Sequence, residues 1–462
     1  MVSLVLLQQD LRLQDHPSLE AAFIKGDPTI ILYIYDPKHP NLGAASKWWL
    51  HYSLKALGDS LEKEGSSLYL EKGAYEAVLK RLLSLYPIKQ VYWNKSREPE
   101  ARKKEKIVEN LLKQKGCQYE SFEASYLFPL LVSPKGTPYQ VFTPFWKACL
   151  KEKEPRKPAV KRIPPPYCQV KQRCFLEDFA LLPQKDWADH FSSLWTPGEK
   201  GAHNALNVFL KEGISDYEIG RDIPSIKGSS RLSPHLHFGE ISPFEVWHKT
   251  QGSETYPREL GWREFASSLL YFFPSMRIKP LKAEWSGFQW EKRTDYLEKW
   301  KRGLTGYPMV DAGMRELWLT GWMHNRVRMI VGSFLVKDLL IDWKEGESWF
   351  WDTLLDADLA NNAFGWQWIA GCGADAAPYF RVFNPVLQGR TFDSEGSYVR
   401  HYVPELEKLP SKWIHAPWEA PEEVLEKAGI ILGKNYPRPV IDHKKARVKA
   451  LQVYEEFKKK CH

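Results

Sequence analysis

The chain has 462 residues, of which 43% are hydrophobic and 26% are charged, and this composition excludes a disordered or fibrous protein. Lysine and arginine number 65 against 57 aspartates and glutamates, and a net charge of +8 is too mild to indicate a polyanionic partner by itself. The six cysteines form no CxxC pair, so a disulfide scaffold and a cysteine metal site are not expected. No targeting segment or membrane span is visible, and we expect a cytoplasmic protein.

Residues 1–130 alternate between short apolar runs and amphipathic stretches. The apolar runs predict strands at Ser3–Leu7, Thr29–Tyr35, Ser67–Leu70 and Gln90–Trp93. The stretches between them predict helices at Trp48–Glu64, Tyr75–Tyr86 and Ala101–Lys115. This alternation is typical of an α/β domain with an open parallel sheet, although neither standard phosphate-loop motif, GxGxxG or GxxxxGK[ST], occurs.

Residues 131–200 have a different composition and predict an interdomain connector, with an extended segment ending in the prolines of Pro164–Pro166. In residues 201–462 the strand pattern fades, and a large all-α domain is expected. Its helices are predicted at Ala202–Lys211, Ser242–Thr250, Trp262–Phe273, Val310–Thr320, Asn325–Leu340 and Trp349–Leu354, with a basic helical tail at His443–Lys460.

The predicted helix Asn325–Leu340 has two distinct faces. A core stripe is predicted at Val327, Val331, Phe334, Leu335 and Leu339. Asn325, Arg328 and Met329 share another face because they are three and four residues apart. That second face is either a ligand-contacting surface or an ordinary, partly exposed one.

Three further segments combine residues with useful chemistry. Asp356–Trp368 holds two carboxylates, two amides and two indoles, which suit a planar heterocycle with polar edges but also fit a polar loop with core tryptophans. The serines of Gly228–Pro234 suit a phosphate or simple helix capping. Glu259 and Trp262 put a carboxylate and an indole on one helical turn, which suits either a ligand site or a surface pair over a buried ring.

Taken in order, these segments resemble the photolyase/cryptochrome family. The similarity runs from D-L-R-L-Q-D-H-P-S-L at Asp10–Leu19 to F-N-P-V-L-Q-G at Phe383–Gly389. It includes R-L-S-P-H-L at Arg231–Leu236, G-W-M-H-N-R-V-R-M from Gly321 and D-A-D-L-A-N-N from Asp356. The resemblance implies a Rossmann-like α/β antenna domain, a helical C-terminal domain that binds FAD, and light-driven electron transfer.

The resemblance also implies roles for individual residues. Contacts to the FAD phosphates and ribose are implied for Tyr217, Ser229, Ser230, Arg231, Leu232 and Ser233. Positions around the flavin ring are implied for Trp322, Arg328, Asp356, Ala357, Asp358 and Asn362, with Asn362 beside flavin N5. Electron transfer to the flavin is assigned to Trp290, Trp343 and Trp366. Lesion contacts are implied for Glu259, Trp262, Asn325, Met329 and Trp368, and further DNA contacts for Arg221, Arg263, Arg326 and Gln388.

Within this family, Asn325 and Met329 occupy the positions at which (6-4) photolyases carry two catalytic histidines. Plant cryptochromes carry Asp where Asn362 stands. The sequence therefore resembles a class I-like photolyase that repairs cyclobutane pyrimidine dimers in UV-damaged DNA, and a monomer is expected. A cryptochrome-type blue-light photoreceptor is the alternative.

The identity of a second, antenna chromophore is left open by the sequence. Leu6, Leu7 and Gln8 stand where the family usually carries W-F-R near the first strand. Glu100 and Ala101 stand where folate-binding members carry Asn-Glu. These differences put methenyltetrahydrofolate in doubt, and a deazaflavin, a second flavin or no antenna remain possible.

Overall fold

The computed structural model describes residues 1–38, 42–159, 167–183 and 186–461, so the predicted Pro164–Pro166 run lies outside the described residues. The chain forms two compact units. Unit 1 comprises Met1–Ser215, Ser230–Pro274 and Leu355–Ala360, and unit 2 comprises Asp216–Ser229, Ser275–Leu354 and Asn361–His462. Both units draw on the second half of the chain, and the domain boundaries predicted at residues 130 and 200 stay a prediction.

Unit 1 contains a parallel sheet of five strands in the order β3-β2-β1-β4-β5. The strands are β1 (Val2–Leu7), β2 (Thr29–Tyr35), β3 (Leu68–Lys72), β4 (Ile88–Asn94) and β5 (Gln118–Phe122). β1 is buried along its whole length because it pairs with β2 on one side and β4 on the other. Strand order reverses between β1 and β4, and in open α/β sheets such a switch point opens a crevice at the carboxyl ends of the strands.

Helices make up most of the remaining described chain. In the first half they are α1 (Pro17–Lys25), α2 (Ala44–Lys63), α3 (Tyr75–Leu85), α4 (Pro99–Lys115), α5 (Phe142–Cys149), α6 (Phe191–Leu194), α7 (Glu199–Glu212) and α8 (Tyr217–Gly220). They continue with α9 (Ser233–His237), α10 (Pro243–Lys249), α11 (Tyr256–Phe272), α12 (Thr294–Lys301), α13 (Pro308–Thr320) and α14 (Asn325–Ser333). The last are α15 (Trp343–Thr353), α16 (Leu359–Ala370), α17 (Pro385–Phe392), α18 (Ser397–Tyr402), α19 (Glu422–Lys427) and α20 (His443–Cys461). None of the helices in this described part of the chain is both long and apolar enough to cross a bilayer.

The predicted fold class is confirmed: a parallel α/β sheet at the N-terminus is followed by a helical C-terminal half. Within residues 1–130 two elements were not predicted, and in the rest of the chain several short helices, among them α5 and α12, were not predicted either. β5 is an edge strand whose half-exposed Q-Y-E-S-F sequence lacks an apolar run. α1 is short, and its boundaries come from Pro17 in its first turn and from Gly26, which ends it with φ at 74°.

The predicted helix Asn325–Leu340 differs from the structure at its C-terminal end. α14 ends at Ser333, and Phe334–Asp338 continues as a π-helix in which the Leu339 amide donates to the Phe334 carbonyl at 3.0 Å. The predicted core stripe is nevertheless fully buried. The spacing of apolar residues does not distinguish a single π-helical turn from an α-helical one, because the apolar residues before and after the turn are buried in both cases.

Candidate functional site

Unit 1 contains a stack of aromatic rings around Trp262 on α11. The half-buried indole of Trp262 lies flat on Phe142, with ring centroids 3.6 Å apart and planes inclined by 9°. Trp146 stacks parallel to Phe142 at 6.2 Å, so the three rings form a rigid platform. Glu259, also half-buried, is one helical turn before Trp262, and the guanidinium of exposed Arg258 lies 5.4 Å from the Phe142 ring. This platform presents a flat apolar face, a carboxylate and a cation within one turn of helix.

The neighbouring Arg263 has partners inside unit 1. Its guanidinium donates to the Ser125 carbonyl at 2.9 Å and pairs with the buried Glu264 carboxylate at 3.3 Å. The DNA contact that the sequence predicts for Arg263 stays a prediction, and these partners give the side chain a structural role.

The serine-rich turn before α9 is ordered by its own side chains. The Ser230 hydroxyl accepts from the Tyr256 hydroxyl at 2.8 Å and from the Leu232 amide at 3.3 Å. Arg231 has φ at 53°, in the left-handed region, and its guanidinium lies 5.2 Å from the Trp195 ring. Leu232 is buried and Ser233 is exposed. Ser230 therefore shapes the turn, while Arg231 and Ser233 keep groups at its surface.

The Leu355–Ala360 segment of unit 1 carries Asp356, Ala357 and Asp358. Asp356 and Ala357 are buried. Oδ2 of Asp358 lies 3.2 Å from Nδ1 of His237, within hydrogen-bond and ion-pair distance. Burial by itself lowers the pKa of His237, but the hydrogen bond and charge of Asp358, helped by Asp356, outweigh it and raise the pKa. Nothing in the sequence marks His237 as a partner of Asp358, because the two residues are 121 positions apart.

In unit 2, Asn362 on α16 is anchored by Glu347 on α15. The Asn362 amide nitrogen donates to both the carbonyl oxygen and the Oε1 of Glu347, each at 3.0 Å. Glu347 is 4% exposed and pairs with Arg277 Nε at 3.1 Å. Burial raises the pKa of Glu347, although Arg277 and Asn362 oppose the shift. Because both N–H groups of the amide are engaged, the carbonyl oxygen of Asn362 is the end left to accept a hydrogen bond from a ligand.

The predicted electron-transfer tryptophans are placed differently within unit 2. Trp366 and Trp343 are buried, while Trp290 is half-buried with its ring 4.4 Å from Phe288. The Trp366 indole lies against the α carbon of Gly346, one turn after Trp343 on α15. Trp343 and Gly346 are three residues apart and so share one face of α15, the face against which Trp366 packs.

Trp366 also contacts a tryptophan that the sequence reading did not single out. The Trp300 ring lies 6.2 Å from it in an edge arrangement, is fully buried, and donates its indole N–H to the Val331 carbonyl at 3.0 Å. No local motif marks Trp300, since it is one of 20 tryptophans in the chain.

The second face of α14 carries the predicted contact residues Asn325, Arg326, Arg328 and Met329. Asn325 is exposed and Met329 is half-buried. Arg326 pairs with Asp222 at 2.7 Å and lies over the Phe392 ring, whereas Arg328 Nε donates to the Met323 carbonyl at 2.8 Å. Arg326 and Arg328 are therefore oriented by partners within unit 2.

The remaining predicted residues lie at separate places of unit 2. Tyr217 is buried on α8 with the Arg221 guanidinium 5.8 Å from its ring, and Trp322 is buried beside Arg328. Half-buried positions are taken by Ser229, Arg221, Trp368 and Gln388. Their roles stay predictions.

A cavity of about 120 Å³ opens at the carboxyl ends of β1 and β2, at the switch point of the sheet. Its lining includes aromatic side chains and ionisable groups, among them Tyr33, Tyr35, Tyr75, Phe238, Asp36, Glu98 and Lys104. Leu7, Gln8, Glu100 and Ala101, which depart from the family pattern, also line it. The sequence departures therefore converge on one cavity that the sequence alone did not reveal.

Two family models and several known proteins match this chain over most of its length. The family model described as DNA photolyase matches residues 3–165, and the FAD binding domain of DNA photolyase matches residues 256–456. A deoxyribodipyrimidine photo-lyase of Agrobacterium fabrum is 47% identical, and the alignment covers 99% of this chain and 98% of that protein. Cryptochrome-1 of Arabidopsis thaliana is 36% identical over 96% of this chain and 69% of its own.

Two solved structures are similar in fold. The bacterial class III photolyase from Agrobacterium tumefaciens has a TM-score of 0.96 at 46% identity, covering 99% of this chain and 98% of that one. The archaeal photolyase from Sulfolobus tokodaii, whose crystal structure holds two FAD molecules, has a TM-score of 0.86 at 30% identity, with 99% and 100% covered.

Proposed function

The chain belongs to the photolyase/cryptochrome family, and from this we propose that it repairs cyclobutane pyrimidine dimers in DNA with light, using FAD as its cofactor. The observation that carries the proposal is the Trp146–Phe142–Trp262 stack with Glu259 one turn away. A flipped-out dimer of two adjacent bases needs a flat apolar surface and a group that hydrogen-bonds its polar edge. Trp262 offers the surface and Glu259 offers the carboxylate.

The residues of unit 2 fit the flavin part of the proposal. Reduced FAD, when bound, supplies the electron that opens the dimer ring after absorbing light. The Asn362 carbonyl would accept a hydrogen bond from a ring N–H, because Glu347 already engages its amide nitrogen. Arg328 and Trp322 would contribute a cation and a flat surface near the ring.

We further propose a class III enzyme in place of the class I-like one expected from the sequence. The support is the similarity to the Agrobacterium tumefaciens class III structure along nearly the whole chain. The proposed partner is UV-damaged DNA, and the monomeric state stays a prediction.

We also propose that the cavity at the switch point takes part of a second chromophore. The aromatic lining suits a heterocyclic ring, and a second FAD is present in the Sulfolobus tokodaii neighbour. At about 120 Å³ the cavity is smaller than the ~300 Å³ of a typical ligand pocket, so it would hold one end of such a molecule. Extraction and identification of the chromophores bound to the purified protein test this proposal.

The repair proposal is tested with an oligonucleotide that contains one thymine dimer. Holoprotein with fully reduced FAD should restore the dimer to thymines under blue light and leave it unchanged in the dark. Glu259→Gln and Trp262→Ala should lower the repair yield at unchanged FAD content. Glu254→Gln, an exposed carboxylate just before α11, serves as the matched control and should repair normally.

Dimers that persist under light with reduced FAD would refute the repair proposal. In that case the photoreceptor alternative would gain support, since a cryptochrome of 36% identity is among the relatives. A repair yield in Glu259→Gln and Trp262→Ala equal to that of Glu254→Gln would refute the assigned roles while leaving repair intact.

A further inference from the structure

Three ionisable side chains of unit 1, Glu98, His237 and Asp358, lie near the switch-point cavity and the Leu355–Ala360 segment. Glu98 lines the cavity. His237 is 6% exposed, with Nδ1 at 3.2 Å from Oδ2 of Asp358. Its Nε2 is buried without a hydrogen-bond partner among the described residues. A buried imidazole nitrogen left unpaired is costly, so the state of this ring depends on the charges around it.

The cavity wall joins Glu98 to His237. Phe238, the residue after His237, lines the same cavity, and its ring lies 4.7 Å from the imidazole. Burial and the charge of Asp358 raise the pKa of Glu98, while His237, a hydrogen bond from Gln9 and the charge of Lys104 lower it. Glu98 also contributes to the raised pKa of His237. The charge of Glu98 is therefore felt at His237, and the charge of His237 at Asp358.

We propose that His237 is a positioning residue that couples occupancy of the Glu98 cavity to FAD binding at the Asp356–Asp358 segment. The proposal rests on the proposed function, in which FAD is the cofactor, and on the flavin contacts that the family resemblance implies for Asp356 and Asp358. It also names the ligand chemistry that produces coupling, namely a flat ring whose edge presents two adjacent N–H donors. A carboxylate accepts such a pair of bonds in parallel and is held ionised by them.

The direction of the coupling follows from the charges. A donor edge at Glu98 favours its ionised form, and the added negative charge favours protonated His237. Protonated His237 holds the Asp358 carboxylate more firmly in one position. FAD binding then costs less conformational entropy, because this side chain is already ordered. A ring whose edge lacks two adjacent donors cannot make the parallel pair of hydrogen bonds that holds Glu98 ionised, and it should leave FAD affinity unchanged.

The expected factor is at the lower end of measured couplings. Coupling between two sites typically changes affinity by about 5- to 150-fold, and it is reciprocal. The Asp358 side chain is 23% exposed, so water screens part of the interaction. We therefore expect FAD affinity to rise by about 5- to 10-fold when the cavity is occupied.

Two small probes of equal size separate the chemistry. 2-Amino-4-oxopteridine presents an amino group beside a ring N–H, whereas 2,4-dioxopteridine has a carbonyl in place of that amino group. The full chain, freed of any second chromophore, is titrated with FAD at saturating concentrations of each probe. We expect the amino probe to lower the Kd for FAD by about 5- to 10-fold and the dioxo probe to leave it unchanged.

His237→Asn tests the residue itself, because asparagine can keep a donor near Nδ1 but cannot become cationic. It should abolish the effect of the amino probe while the probe still binds. His203→Gln is the matched control, since His203 also pairs with a buried carboxylate, Glu245, at 3.1 Å, and it should keep the full effect. The reciprocal measurement, tighter binding of the amino probe to the FAD-loaded protein, needs no variant.

Each outcome has one meaning. If the amino probe fails to bind, or binds without changing the Kd for FAD, the coupling is refuted. An undiminished effect in His237→Asn would refute the role of His237. If the wild-type protein binds no FAD at all, the proposed function fails and the coupling fails with it.

Discussion

Replacing Gly346 by alanine tests whether the Trp366 indole can pack against α15 only because residue 346 has no side chain. A methyl group at this position would lie 2.6 Å from Cζ2 of Trp366 and closer still to Cη2 and Cζ3. Alanine should gain about 1 kcal/mol in helix propensity. Forcing a methyl group into a packed core costs about 1–3 kcal/mol.

A second glycine isolates the packing cost. Gly365, just before Trp366 on α16, is exposed, and an alanine there would meet nothing within 4 Å. Gly365→Ala should therefore stabilise the protein by about 1 kcal/mol, the propensity gain alone. The difference in the free energy of unfolding between the two variants should equal the packing cost, about 1–3 kcal/mol.

Chemical denaturation of both variants measures this difference. If Trp366 relays electrons to FAD, photoreduction of oxidised FAD should also slow in Gly346→Ala and not in Gly365→Ala. An equal gain in stability for the two variants would refute the contact between Gly346 and Trp366. Slowed photoreduction in Gly365→Ala alone would refute the reasoning about the electron path.

Three further predictions concern the buried network and the backbone. Glu347→Ala should cost about 3 kcal/mol of stability because it removes the buried carboxylate that pairs with Arg277 and accepts from Asn362, whereas Glu347→Gln, which keeps an acceptor for Asn362, should cost about 1 kcal/mol. Burial raises the pKa of Asp338 from 3.8 to about 6, so the native state holds a proton that the unfolded state releases between these values, and stability should fall as pH rises through this window. Asp338→Asn should remove that part of the pH dependence, at most about 3 kcal/mol, in unfolding titrations at several pH values. Gly239→Ala should cost more than 2 kcal/mol, because φ is 65° and the new methyl group would lie 2.6 Å from the Asp10 α carbon.

These predictions have matched controls on the same chain. Glu345→Gln changes an exposed carboxylate on α15 and should leave stability within about 0.5 kcal/mol. Gly26→Ala has a similar φ of 74° but open space around the methyl group, so it reports backbone strain alone. Equal costs for Glu347→Ala and Glu347→Gln, identical pH profiles with and without Asp338, or equal costs at Gly239 and Gly26 would each contradict the corresponding argument.

Local sequence determined the elements and the family. The runs that became β1, β2 and β4 are apolar because parallel strands in the middle of a sheet are buried on both faces, and this requirement falls on consecutive residues. β3 is an edge strand, but four of its five residues are buried, so it too has an apolar run. The edge strand β5 escaped notice because half-exposed positions need no such run. The motifs around Asn325 and Asp356 identified the family from residues that are neighbours in the chain.

Tertiary structure alone decided which of these residues work together. His237 meets Asp358, Glu347 anchors Asn362, and Trp262 rests on Phe142, although the partners in each pair are far apart in sequence. Such pairings depend on how helices and loops pack. A local pattern of polar and apolar residues predicts whether a residue is buried, but it does not identify the distant residue that it contacts. The sequence therefore carried the chemistry of the site residues, while packing determined their partners, their charge states and the cavity beside Glu98.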